Sequence, residues 1–121
     1  MNISVSSTSE LPLYKQLYDG ISTAVIRGEL REGEPLPPIR TISQELRISV
    51  ISVKRAWEEL ERDGFINTAV GRGCFVAHLS AQRIAELRRN MILEKFLPSV
   101  EYAKKLGVDF SEAVEILEEI F

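Results

Sequence analysis

Apolar residues at Leu13, Leu17, Ile21, Ala24 and Val25 recur at the three- and four-residue spacing that lays side chains along one face of a helix. Pro12 falls at the first helical position, where a missing N–H is tolerated, and Gly28 supplies the stop, so the pattern predicts a helix of about four turns. Gly33, Pro35, Pro37 and Pro38 then predict an irregular connector that no helix accommodates. A short second helix starts near Pro38, buries Ile39, Ile42 and Leu46, and stops before a turn at Arg47 and Ile48. Ser49 is a good cap for a third helix. Rotating 100° per residue from there puts Val53, Ala56, Trp57 and Leu60 on one face and Ile51, Lys54, Arg55 and Glu58 on the other. Gly64 closes that helix.

Beyond Gly64 the period changes. Phe65 to Thr68 and Cys74 to Ala77 are β-rich runs on either side of Gly71, Arg72 and Gly73, which predicts a hairpin. Residues 80–121 return to helical spacing, with Ser80 as a cap and breaks expected at Pro98 and Gly107. Ile84, Leu87 and Met91 form one stripe there, and Phe110, Ala113, Val114, Leu117, Ile120 and Phe121 another. Three helices followed by a hairpin, with a tight turn between the second and third, is the winged helix-turn-helix. The expected fold is therefore mainly α, with a tail over 1–10, a winged helix-turn-helix over 11–78 and a small helical dimerisation unit over 79–121. About 40 residues rarely form a core alone, so the last unit must pack on the first or on another chain. Ile84, Leu87, Met91, Phe96, Phe110, Leu117, Ile120 and Phe121 are the candidate dimer contacts.

Composition narrows the class without changing this architecture. A chain of 121 residues, 45% apolar and 27% charged, is ordinary for a soluble globular protein, and one working unit is expected. It is too short to join a binding module to a full catalytic domain. No apolar run has the length of a membrane span, the start has no signal-peptide pattern, and a single cysteine suits a reducing compartment, so the expected location is the cytoplasm. The net charge of −3 argues mildly against nucleic acid. The local balance reverses this: Arg40, Arg47, Lys54 and Arg55 stand against Glu45 alone between positions 40 and 55, which is 4 − 1 = +3, and Arg72 adds to it.

The cationic segment coincides with the third helix, whose width matches a DNA major groove. Ser49, Ile51, Ser52, Lys54 and Arg55 form its free face: hydroxyls and cations can donate to base edges or phosphates, and Ile51 can meet a thymine methyl. Gly71 and Gly73 let the wing backbone approach a sugar-phosphate chain, with Arg72 between them reaching a phosphate or the minor groove. Blander readings stand beside these. Arg40 and Arg47 can be plain solvated charges, Lys54 and Arg55 can pair with Glu58 or Glu59, and the acidic positions 112, 115, 118 and 119 can be the wet side of the last helix. Cys74 and His78, four apart, are too few for a metal site, and no catalytic triad, carboxylate pair or phosphate-binding glycine loop can be assembled. No metal and no cofactor are expected.

The runs PLYKQLYDGISTAVIRGEL, GEPLPPIRTISQELRISVISVKRAWEELERDGFI and GRGCFVA together resemble the N-terminal domain of the GntR family of bacterial regulators, over about Leu11 to Ala77. The short helical tail resembles the YtrA-like branch, whose C-terminal part is a small dimerising unit. The resemblance implies DNA contacts from Arg40, Ser52, Lys54 and Gly71, with Arg55 at a commonly basic position. Val50 departs from the pattern, standing where relatives usually carry Arg; Pro38 and Cys74 stand where Ser or Thr is usual. The expected function is a sequence-specific transcription regulator, a repressor, binding a palindromic double-stranded operator as a homodimer. The alternative is a winged helix that binds protein without specific DNA binding. A small-molecule effector stays open.

Overall fold

The computed structural model describes residues 3–121, which divide into two compact units, 3–80 and 81–121. Met1 and Asn2, part of the expected tail, lie outside the described residues.

In the first unit, α1 (Leu13–Ile26), α2 (Ile39–Leu46) and α3 (Val50–Arg62) precede a hairpin of β1 (Ile66–Ala69) and β2 (Gly73–Val76). Pro12 is the residue before α1 and not its first helical one; its carbonyl accepts from the amides of Lys15 and Gln16, each at 3.1 Å. Leu17, Ile21 and Val25 are buried along α1 as the spacing predicts. Ser49 caps α3, its hydroxyl accepting from the Ser52 amide at 3.0 Å. Such a cap contributes about 1 kcal/mol.

Val53, Ala56, Trp57 and Leu60 are all buried, and the packing of α3 is chiefly against α1, then α2. Gly64 takes a left-handed φ of 86° that side chains with a Cβ avoid. That conformation lets the Phe65 amide return to the Leu60 carbonyl at 2.9 Å, and it drops Phe65 into the core with no exposure.

Three expectations change here. In α2 only Ile42 is buried; Ile39 and Leu46, the first and last residues of the helix, are half-buried, and Ile48 in the following turn is buried as well. The strands sit one position later than expected at β1 and earlier at β2, with Ile66 opposite Val76 and Ala69 opposite Gly73, so Phe65 precedes its strand and Gly73 is paired within one. The proline-rich connector is partly ordered as a third strand-like segment: the Gly33 amide donates to Val76 O at 2.8 Å, Val76 to Glu34 O at 2.9 Å and Leu36 to Cys74 O at 2.9 Å. Pro35 bridges Phe75 without needing to donate, since only alternate residues of an edge face the partner.

The segment before α1 is seated on that helix. Gln16 clasps it, accepting from the Ser6 amide at 2.7 Å and donating to the carbonyls of Ser6 and Leu11, each at 2.9 Å. Ile3 lies over Gly20, where an added Cβ would stand 3.0 Å from its Cγ2.

The second unit contains α4 (Ala81–Lys105) and α5 (Phe110–Ile120). Contrary to expectation, Pro98 lies inside an unbroken α4. A proline removes one hydrogen bond, but its fixed φ is helical and the helix is already long when it arrives. The Ser99 hydroxyl also donates to Lys95 O at 3.2 Å. Gly107, at φ 79°, ends the helical path, and Asp109 caps α5 by accepting from the Glu112 amide at 2.9 Å. No helix among the described residues is long and apolar enough to cross a membrane.

Phe65 carries the largest fully buried side chain of the core, so Phe65→Ala is expected to lower unfolding free energy by about 3–5 kcal/mol in urea denaturation. Val70→Ala, at a fully exposed position, is expected to change it by less than about 0.5 kcal/mol. Equal effects would contradict the described core.

Candidate nucleic-acid interface

With one side of α3 anchored, its other side meets solvent. Ile51 is 80% exposed, Val50 46%, and Lys54, Arg55 and Glu58 are exposed as well. The turn that aims this helix falls at Arg47 and Ile48 as expected, and Ser43, which the spacing did not single out, helps to close it. Arg47 takes a left-handed φ of 58°, the Ile48 amide donates to Ser43 O at 3.1 Å, and the Ser43 hydroxyl donates to Ile48 O at 2.6 Å. The small serine four residues before Arg47 was the available signal for that closure.

The candidate contacts differ in how free they are. Ser49 is engaged by its cap: besides accepting the Ser52 amide, its hydroxyl donates to Ser52 Oγ at 3.0 Å. Its own donor is used, whereas Ser52 keeps a hydroxyl hydrogen to offer. Lys54 is exposed on the free face.

Arg55 is held instead of free: its guanidinium lies 3.8 Å from the centre of the Tyr14 ring, and Nε is 3.5 Å from Glu59 Oε2. Tyr14, on α1, was missed because a ring beside an arginine 41 positions later leaves no trace in local spacing. The side chain of Arg55 is still 60% exposed, so its outer N–H groups can reach an acceptor. Glu59 also receives Arg62, whose charged form is favoured first by its hydrogen bond to Asp63 and next by that carboxylate's charge.

Arg40 is exposed in the first turn of α2. At the hairpin tip, Val70, Gly71 and Arg72 are exposed, Gly71 has φ 76°, and the Arg72 amide donates to Ala69 O at 2.9 Å. The positive φ at Gly71 turns the chain in three residues and leaves no Cβ between the backbone and whatever the wing approaches. The wing is tied to α3 by the Thr68 amide, which donates to Glu61 Oε2 at 2.9 Å. One unit therefore holds the second helix, the cationic face of α3 and the wing, while Glu58 puts one anion on that face.

Several other features lie apart from this set. Cys74 Sγ is 3.5 Å from Thr68 Oγ1 and His78 Nδ1 is 2.9 Å from Glu32 Oε2; among the described residues no cluster of His, Cys, Asp or Glu could hold a metal ion. A hollow of about 720 Å³ is lined by Ile3, Ser4, Gly20, Ala24, Glu29, Leu30 and Glu34, none of them a candidate contact.

The eight candidate dimer residues all lie in the second unit, but Leu87 is buried within the single chain, leaving little of it for a partner, and Ile84 and Met91 are half-buried. Phe96, Phe110, Leu117, Ile120 and Phe121 are exposed, at 48%, 85%, 44%, 74% and 108%. Ile92, Leu93, Leu97, Val100 and Leu106 are exposed too, an apolar surface beyond the two expected stripes.

Comparison with known proteins extends these observations. Residues 13–76 match the family described as bacterial regulatory proteins, gntR family. The HTH-type transcriptional repressor YtrA of Bacillus subtilis (strain 168) is 27% identical over 118 residues, covering 98% of this chain and 91% of its own. A GntR family transcriptional regulator from Listeria monocytogenes has the same fold, with a TM-score of 0.79 at 23% identity over 95% of this chain and 98% of its own. The DNA-binding domain of AraR, solved in complex with operator ORE1, superposes with a TM-score of 0.53 at 25% identity, covering 64% of this chain and 94% of its own.

The stack of Arg55 on Tyr14 is testable without any ligand. A double-mutant cycle of Tyr14→Ala and Arg55→Ala in urea denaturation is expected to give a coupling of about 0.5–1 kcal/mol, the usual range for an exposed cation–π pair. Strictly additive effects would contradict the contact.

Proposed function

Because the chain belongs to the gntR family of bacterial regulatory proteins, we propose that it is a sequence-specific DNA-binding repressor that grips a palindromic operator as a homodimer. The observation that carries this reading is the two-sidedness of α3: Val53, Ala56, Trp57 and Leu60 are buried while Lys54, Arg55 and Ile51 face solvent beside a glycine wing bearing Arg72. Operator binding by the AraR domain and the repressor role of YtrA support it by likeness.

In this reading α3 enters the major groove by its N-terminal half. Lys54 and Ser52 supply donors to base edges, and the uncapped amides at the helix start favour a phosphate. Arg55, lying on Tyr14, serves the backbone. Arg40 and Arg72 grip phosphates on either side, with the Gly71 and Gly73 backbone brought close to the sugar chain. The expected dimer forms through α4 and α5, whose exposed aromatic and aliphatic side chains would be covered by a second copy. Twofold symmetry then sets two α3 helices on half-sites about one helical turn apart.

Fluorescence anisotropy on duplexes selected from random DNA tests this. Affinity is expected to fall steeply with salt; Arg72→Ala weakens binding to all sequences alike and reduces the log–log salt slope by about 1, whereas Lys54→Ala also relaxes preference at one base pair of each half-site. Affinity indifferent to salt would favour the protein-binding alternative. Sedimentation is expected to give twice 13.7 kDa, falling to the single-chain mass with Phe110→Asp and Leu117→Asp together. A wild-type single-chain mass would refute the homodimer.

A further inference from the structure

Two adjacent branched apolar side chains, Val50 and Ile51, stand in solvent in the first turn of α3, 46% and 80% exposed. Neither belongs to the buried core. On the helical wheel they flank Lys54, Val50 four and Ile51 three positions before it; Ile51 lies on the outward face with Arg55 and Glu58, whereas Val50, seven positions before Trp57, borders the buried stripe and is half exposed. The Ser49 hydroxyl at that end is engaged by two hydrogen bonds with Ser52, accepting from its amide and donating to its Oγ. The leading end of the helix therefore presents these methyl groups beside the Ser52 hydroxyl, which keeps its hydrogen to donate.

Resting on the reading above, in which this end of α3 enters a major groove, we infer that Val50 and Ile51 are specificity-determining residues that read the 5-methyl groups of thymines. In that groove the thymine methyl is the one apolar feature on a base edge, and its presence distinguishes A·T from G·C pairs without a hydrogen bond. An isoleucine or valine there has no donor for guanine, and it would leave the polar edge of a G·C pair desolvated and unpaired. Lys54 between them donates to the edge of a neighbouring purine, so the methyl groups and the cation read adjacent positions. The half-site bound by this chain accordingly carries thymines beneath the start of α3.

The test uses a duplex recovered from a random library by the full chain. Each thymine is replaced in turn by deoxyuridine, which removes only the methyl group. One or two replacements per half-site are expected to weaken binding about three- to fivefold each, the loss expected for one buried methyl, and the others to have no effect. Ile51→Ala and Val50→Ala should each lower affinity for the thymine duplex by a similar factor and abolish the thymine–uracil difference at one of those positions, with unchanged thermal melting of the protein. Equal affinity for every uracil duplex, or uracil sensitivity that survives in the double variant, overturns the inference while leaving DNA binding intact. Failure to recover any duplex overturns the DNA-binding reading itself, and this inference with it.

Discussion

The burial of one side of α3 is the constraint on which the rest depends. Val53, Ala56 and Leu60 have no exposure and Trp57 only 4%, so this helix cannot rotate about its axis without uncovering its apolar face. Each large side chain of that kind contributes about 1.5–3 kcal/mol by burial. Surface contacts such as the Arg55–Glu59 pair are worth only about 0.3–0.5 kcal/mol, so the inner face decides the orientation and the outer face is free to be chemistry. Ser49 and Gly64 fix where the helix begins and ends. The turn closed by Ser43, with Arg47 in a left-handed conformation, fixes how it leaves α2.

An acidic chain can engage a polyanion only if its charges are segregated. Here the net charge is −3, yet residues 40–55 carry a local +3, and Arg72 joins from the hairpin. The carboxylates of α5, at 112, 115, 118 and 119, belong to the other unit. Since exposed charges are screened by salt over about 8–10 Å, the balance close to a contact counts for more than the chain total. Glu45 is the one anion within that segment, and Glu58, just beyond it, puts another on the outward face of α3.

What the sequence made legible was whatever a local period encodes. The three helices, the Ser49 cap, the buried and free faces of α3 and the stop at Gly64 follow from spacing and from single residues with strong preferences. What it hid depends on partners distant in the chain. The strand-like pairing of 33–36 was masked by prolines because it needs donors only at Gly33 and Leu36. Pro98 reads as a break but sits within a helix that flanking residues sustain. Arg55 reads as a free cation because Tyr14, which holds it, is on another helix. The apolar stripes of 81–121 were visible, yet periodicity does not tell an internal contact from an external one. Leu87 is buried in the chain, and Phe110 and Phe121 are not.

Amide hydrogen exchange on the full chain, with and without an excess of selected duplex, tests most directly whether the outer face of an anchored α3 is the working surface. The account predicts new protection at 49–55 and 70–73 on adding DNA, while the amides of 56–61, already slow in the core-facing part of the helix, hardly change. Protection confined to 81–121, or none at all with DNA bound, would contradict it.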